Sequence, residues 1–352
     1  MADYTLKSTY ALHLIDSQPL KIFGSTMHTT NDDSQSHKTY RLFDTCISSM
    51  VPLPEIPEWR GGGAPRITVR MVETGQLDLV GYATCHDWKR DGGPLICRSA
   101  RRDTDYLLTF PERASFHIDP LGVISCLPSP GTAECLVRQL LLNQALPRYL
   151  AHTGELLLHA SAVTLPNGKT VAFLGESGHG KSTLASYCHQ NGAQLIDDDC
   201  ILLRPDNQRV SITGGVPTIR LYPDSLSALG HNPDGFVPCV DYSDKQQMCL
   251  AGGSTPGLQP RALDALFLLA APGEAPAEEA VCIEPAAGQV AMMAILKSVF
   301  NLDPSDPATM KRTFSHAAWV LTAGGGLPVY LLRYPREHAQ LPQVMQALLD
   351  LQ

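Results

Sequence analysis

Residues 171–200 read VAFLGESGHGKSTLASYCHQNGAQLIDDDC. Within them, Gly175-Glu176-Ser177-Gly178-His179-Gly180-Lys181-Ser182 matches the pattern GxxxxGK[ST] in full, and Thr183 follows it. Each part of that pattern suits a phosphate. Glycines let backbone N–H groups curl around phosphate oxygens where a Cβ would obstruct them. A helix beginning at the lysine would point its positive N-terminal end at the same anion. Lys181 supplies a mobile charge for the outer phosphates of a nucleotide such as ATP, and the Ser182 hydroxyl can reach Mg²⁺. Residues 175–183 are therefore the expected phosphate-binding stretch.

Asp197, Asp198 and Asp199 all follow within eighteen residues of that lysine. A strand after the loop helix should run parallel to the strand before the loop, through a right-handed crossover. Both strands then end at the same edge of the sheet, where ligands of such folds bind. Alternation along a strand sends Asp197 and Asp199 to one side and Asp198 to the other. Three adjacent carboxylates repel one another unless a metal or a proton offsets the charge. Beside a phosphate loop, a metal-linked role is favoured over a solvated acidic turn. His159 joins this set by counting. If Asn167-Gly168 forms a two-residue hairpin turn, paired residues sum to 335, and His159 lies opposite Glu176 in the loop.

The elements that must hold these residues are legible as patterns. ELLLHASAV (155–163) reads as a strand and TVAFL (170–174) as its hairpin partner. STLASYCHQ is a short helix stopped by Asn191-Gly192. QLI starts a further strand that CILLR continues, and LDALFLLAA (263–271) reads as a buried strand. PGEAPAEEA (272–280) is a loop, and LPQVMQALLDLQ closes the chain as an amphipathic helix. Upstream, residues 39–126 alternate in short segments such as RITVRMV and DYLLTF, broken by GGG, DGGP and DPLG, as in a β-rich region with tight turns. GTAECLVRQLLLNQALPRYL (131–150) has helical spacing. The expected organisation is an N-terminal extension (1–38) whose end, NDDSQSHK, is a polar loop, a β-rich domain (39–130), a linking helix (131–154) and an α/β domain carrying the phosphate loop (155–352). Overall the class is α/β, or α+β when the N-terminal half is counted.

Bulk properties exclude several classes. A net charge of −8 argues against a nucleic-acid binder held by phosphate contacts. The N-terminus lacks the pattern of a secretory signal, and the longest apolar run is about half a membrane span, so no membrane association is expected. Ten cysteines are scattered with no CxxC pair, which gives zinc and thioredoxin-like sites no support and suits reduced thiols in a cytoplasm.

LLHASAV (157–163), FLGESGHGKSTLA (173–185) and QLIDDDCILL (194–203) together resemble the catalytic domain of the HPr serine kinase/phosphorylase family. That family belongs with the phosphoenolpyruvate carboxykinase-like P-loop fold and has an aspartate pair at this short distance after the lysine. Three further stretches, 40–58, 214–230 and 327–349, resemble a subgroup of kinase-like relatives, some of which phosphorylate a serine on ribosomally made precursor peptides, lasso peptides included. The resemblance implies His159 as the catalytic histidine, Lys181 as the loop lysine, Asp199 as the proton acceptor with Asp198 beside it, and Ser182 as the metal-binding hydroxyl. It also allows a homo-oligomer, since HPr kinases assemble. The family's glutamate-containing signature is absent; the comparable stretch reads PTIRLYPDSL, where Asp224 is the nearest carboxylate to complete a metal set of Ser182, Asp198 and Asp199. The arginine of the reverse reaction has no obvious counterpart, with Lys245, Arg220 and Arg261 as substitutes. Phosphorylase activity, and HPr as the substrate, are therefore in doubt.

Three functions fit these residues. The leading one is an ATP- and Mg²⁺-dependent kinase acting on a serine hydroxyl of a peptide or small protein. The second is a nucleotide-responsive module that escorts a peptide without chemistry, capturing it on a sheet edge. The third is an ordinary P-loop ATPase or GTPase, which predicts a later hydrophobic strand ending in Asp near a glycine; ALDALFLLAAPGE lacks one.

Overall fold

The β-rich half forms one sheet. Its strands are β1 (Lys38–Leu42), β2 (Thr45–Ser49), β3 (Ile67–Met71), β4 (Ala83–Lys89), β5 (Leu95–Arg102), β6 (Asp105–Phe110), β7 (Ala114–Ile118) and β8 (Val123–Pro128). They lie in the order β1-β2-β3-β8-β7-β6-β5-β4. Only the pairs β2/β3 and β3/β8 are parallel. β6 and β7 alternate strictly between buried and half-buried residues, the signature of a sheet with one face on a core. The computed structural model describes residues 37–351 except 74, 90–92, 217, 233–235, 241–242, 250–257, 275–280 and 323–325. Residues 1–36 of the N-terminal extension, with the polar stretch at 31–38 up to residue 36, and residues 275–280 of the loop at 272–280 lie outside the described residues.

A long helical segment follows as α1 (Glu134–Leu140), one π-helical stretch (Leu141–Ala145) and α2 (Leu146–His152). The π stretch ends just before Pro147, which has no N–H to donate and whose ring would clash with a carbonyl in a regular turn.

The second half supplies β9 (Leu156–Leu158), β10 (Ser161–Thr164), β11 (Thr170–Leu174), α3 (Lys181–Gln190), β12 (Gln194–Asp197), β13 (Ile201–Asp206), β14 (Arg209–Gly214), β15 (Thr218–Leu221) and α4 (Pro223–Ala228). It continues with β16 (Val237–Val240), β17 (Ser243–Cys249), β18 (Arg261–Ala262), β19 (Ala265–Leu269), β20 (Cys282–Pro285), α5 (Gly288–Ser298), α6 (Pro307–Thr322), β21 (Val329–Arg333) and α7 (Leu341–Asp350). The central sheet runs β12-β10-β11-β19-β21-β20, flanked by the smaller sheets β18-β14-β13-β9 and β15-β17-β16. Mixed α/β architecture is thus observed.

β11, β19 and β21 are mutually parallel. β11 and β19 are buried at every position, as TVAFL and ALFLL require of strands covered on both faces. Side-chain alternation divides the interior. Phe173 and Phe267 pack with Leu184, Ala185 and Cys188 of α3 and with Val344 and Leu348 of α7. Ala172, Leu174, Leu266 and Leu268 point the other way, into a core shared with Ile295, Val320, the α1–α2 segment and the N-terminal sheet. At about 25 cal/mol per Å² of apolar surface, these two cores provide the main drive for the sheet to form.

Two expectations need correction. The hairpin between β10 and β11 pairs Thr164 with Thr170 and Ser161 with Phe173, so the register sum is 334, not 335. The loop has three residues, closed by Leu165 N–H to Lys169 O at 2.8 Å, and Gly168 takes the left-handed conformation at φ 85°. In addition, ELLLHASAV and QLIDDDCILL are each two strands. The chain leaves the sheet of β9 at His159-Ala160 and enters the central sheet at Ser161; it makes the reverse exchange at 198–200, between β12 and β13.

Candidate active site

The two exchanges between sheets occur side by side. Ala160 N–H donates to Asp199 O at 3.3 Å, and His159 N–H donates to Ser298 O at 2.7 Å. β12 and β11 both run antiparallel to β10, hence parallel to each other, so the aspartates and the glycine-rich loop emerge at the same edge.

The loop has the backbone of a glycine-rich turn into a helix. Gly178 and Gly180 have φ of 86° and 87°, and Gly180 forms the N-cap of α3. A side chain at Gly180 would be strained there and would also come 3.4 Å from the Tyr334 hydroxyl. Lys181 is buried and curls back, its Nζ donating to Gly175 O at 2.7 Å and Glu176 O at 3.1 Å. Burial, and after it the nearby Lys245, lower its pKa to about 8 against the opposing pull of Asp199, Asp198 and Glu176.

The three aspartates take three different places, and strand alternation does not govern them, because β12 ends at Asp197. Asp197 builds the turn. Its Oδ1 accepts the N–H groups of Asp199 (2.7 Å) and Cys200 (3.0 Å), and its Oδ2 accepts that of Gly215 (2.6 Å). A Cβ on Gly215 would collide with the Phe43 ring, so only glycine lets this backbone reach the carboxylate. Burial pushes the Asp197 carboxyl up to about 7 despite those three bonds. Asp198 is buried, accepting the Ser161 hydroxyl at 2.8 Å and the Arg220 N–H at 2.8 Å. Burial raises its pKa against the pull of Lys245 and these bonds. Asp199 faces Arg220 Nη1 at 2.5 Å and His159 Nδ1 at 3.2 Å. Burial alone would raise its pKa, but the Arg220 guanidinium and then His159 outweigh it and hold the carboxyl well below the usual range. His159 therefore enters through Asp199, not through Glu176.

A cavity of about 220 Å³ opens over this edge. Of the loop residues, Ser177, Gly178, Gly180, Lys181, Ser182 and Thr183 line it. His159, Arg220, Asp224 and Lys245 also line it, the last on β17. Gly175, Glu176 and His179 instead face a larger, mostly apolar hollow of about 900 Å³ on the far side of the loop, which His159 also borders. His179 Nδ1 lies 3.1 Å from Leu269 O, fastening the loop to the end of β19. Arg261 is remote: it bonds Thr164 and Gln194 at the opposite end of β10.

Among the described residues no group of three or more His, Cys, Asp or Glu side chains gathers as a metal cluster. Ser182 and Asp224 nevertheless bring oxygens to the cavity wall. Lys245 Nζ lies 3.5 Å from Ser182 Oγ, and its charge acts on both Asp198 and Asp199. Mg²⁺ bound with substrate phosphates needs only one or two protein oxygens. Asp224 is exposed on the cavity wall with Oδ1 bonded to the Ser225 N–H at 2.8 Å.

Sequence reasoning missed Ser161, Tyr334 and Arg336. Ser161 stands two residues after His159 and pairs with the strand before the loop, a signal available once the register is known. The stretch RYPREH carries Tyr334 and Arg336 more than 150 residues beyond the loop, with no spacing rule to find them.

Among the described residues no helix is long and apolar enough to cross a membrane. The eight cysteines with described side chains are free thiols. No family model matches the chain, and no curated protein matches it. Among solved structures it is similar to the HPr(Ser) kinase/phosphatase from Coxiella burnetii, at 15% identity and a TM-score of 0.28, over 55% of this chain and 94% of that one. A likeness this slight carries no functional argument.

Proposed function

We propose that this chain is a kinase that transfers the γ-phosphate of ATP to a serine hydroxyl of a peptide or small protein. One observation carries the reading: a strand–glycine loop–helix unit with a buried lysine opens at the same sheet edge as the Asp198–Asp199 pair. The neighbouring parallel strand β19 ends at Leu269 and is followed by Ala270, with no carboxylate there, so the carboxylates come from two strands away on the other side of β11, unlike an ordinary P-loop ATPase.

The loop amides and Lys181 would hold the outer phosphates, and Ser182, with Asp224 or the aspartate pair, would hold Mg²⁺, which supplies charge neutralisation on the phosphates. The serine oxygen attacks the γ-phosphorus in line as the bond to ADP breaks, and Asp199 accepts the hydroxyl proton. A carboxylate paired with Arg220 is a weak base, but little proton transfer is needed early in a loose transition state. His159 orients Asp199 from the side away from Arg220. Ser161, through Asp198, holds the neighbouring carboxylate in place.

A second reading draws on a specific feature: the carboxylate oxygens of Asp198 and Asp199 already have protein donors, which suits a nucleotide-binding escort module without chemistry. ADP release in the presence of ATP and Mg²⁺ separates the readings. The kinase reading expects release that depends on added serine peptide. Acceptor-independent release would point to an ordinary ATPase, and nucleotide binding with no release would point to the escort module.

A further inference from the structure

Arg336 follows β21 and crosses the mouth of the phosphate loop. A Cβ at Gly180 would lie 3.8 Å from its Cδ and 3.9 Å from its Nε. One nitrogen is satisfied, since Nη2 donates to Ala270 O at 2.5 Å. The guanidinium lies over the Tyr334 ring, 4.0 Å from its centroid. The other two nitrogens, Nε and Nη1, are buried and meet no acceptor in good hydrogen-bond geometry among the described residues, although the neighbouring Tyr334 favours the charged guanidinium. No carboxylate among the described residues pairs with this side chain, although Arg220 close by has Asp199.

This is a costly arrangement. A guanidinium stays charged under all ordinary conditions, and burying it without an anion forfeits hydration that one carbonyl bond and a tyrosine ring only partly replace. Burial does depress the Arg336 pKa, as expected of a charge held out of water. Arg336 nonetheless shares its cavity with Lys181, Arg220 and Lys245, in a chain whose net charge is −8. Positive charge gathered against the overall balance, over a loop shaped for oxyanions, describes a receptor waiting for its anion.

We infer that Arg336 is a phosphate ligand, donating Nε–H and Nη1–H to the polyphosphate of the nucleotide held by the loop. The inference rests on the nucleotide reading and assigns a residue that the phosphate-loop pattern does not contain. Arg336 thereby joins the C-terminal segment to the loop: Ala270 O and the Tyr334 ring hold the guanidinium beside it, and a small shift of the side chain into the shared cavity opens Nε and Nη1 to the anion.

The test is equilibrium titration of the full chain with inorganic pyrophosphate and, separately, with ATP and Mg²⁺. Wild type, Arg336→Gln, Arg336→Lys and, as a control, Arg261→Gln are compared, together with the melting temperature of each unliganded protein. Loss of a charge-assisted pair of hydrogen bonds should weaken both ligands about ten- to a hundred-fold in Arg336→Gln, with partial recovery in Arg336→Lys and no change in Arg261→Gln. The unliganded Arg336→Gln protein should melt within a few degrees of wild type, because relief of a buried charge with no anion offsets the lost contacts with Ala270 O and the Tyr334 ring. A structural clamp would behave oppositely, with a lower melting temperature and unchanged affinity, and that result overturns the assignment. If wild type binds neither ligand, the nucleotide reading falls and this one with it; if wild type binds and Arg336→Gln binds equally well, only the role of Arg336 falls.

Discussion

The pairing of Arg220 with Asp199 makes a quantitative prediction about stability. The two side chains are 9% and 16% exposed and meet at 2.5 Å. Removing one partner of a pair this deeply buried costs about 3–5 kcal/mol, because the other is left charged and unpaired. Arg220→Gln leaves Asp199 with His159 and the charge of Lys245 alone to offset it, so a loss at the lower end, about 3 kcal/mol, is expected. Asp199→Asn keeps an oxygen for a hydrogen bond and should lose less, about 2 kcal/mol. The double variant leaves neither charge stranded, so its loss should fall short of the sum by about 1–3 kcal/mol. Urea titrations of the four proteins measure this directly. The pH dependence has a definite sign. The folded-state pKa of Asp199 is depressed, so its contribution is complete above the ordinary value of 3.8 and is lost as pH falls below it. The gap between wild type and Asp199→Asn should therefore close in acid. Losses that add within about 0.5 kcal/mol, or a gap that is constant down to acid pH, would refute the pairing.

Two further outcomes follow from the same geometry. Asp197→Ala leaves three buried N–H groups without their acceptor and should cost about 3–6 kcal/mol. Wild-type stability with lost activity would instead make Asp197 a chemical residue and not the builder of the turn. Lys181, held down to about 8, should regain its full charge when polyphosphate binds, so binding near pH 8 should take up on the order of half a proton. Calorimetry in two buffers of different ionisation enthalpy reads this uptake, and identical heats in both would contradict it.

Local chemistry was legible in the sequence where it lies in one contiguous stretch. The loop from Gly175 to Thr183, the strands TVAFL and ALFLL, and the helix from Lys181 to Gln190 are all decided by neighbours in the chain. The aspartates were legible as a cluster but not as individuals. Their separate fates depend on Ser161, Gly215 and Arg220, which reach them from other strands. The register of His159 failed by one residue because Asn167-Gly168 also suits a three-residue loop with its glycine in the left-handed region. The breaks at His159 and Asp198 were hidden because apolar runs resume on both sides of a short polar interruption, as they would along one strand. Arg336 was out of reach altogether, since nothing local reveals that a guanidinium far along the chain folds over the loop.

The central claim is that phosphate passes from ATP to a serine through the aspartate at this edge. Mass spectrometry of candidate acceptor peptides, incubated with ATP, Mg²⁺ and either wild type or Asp199→Asn, tests it most directly. We expect wild type to add one phosphate, about 80 Da, to a serine. Asp199→Asn should bind nucleotide and transfer about 10²- to 10⁴-fold more slowly. Equal transfer by both proteins would contradict the role of Asp199, and no transfer by wild type with nucleotide and peptide both bound would contradict the kinase itself.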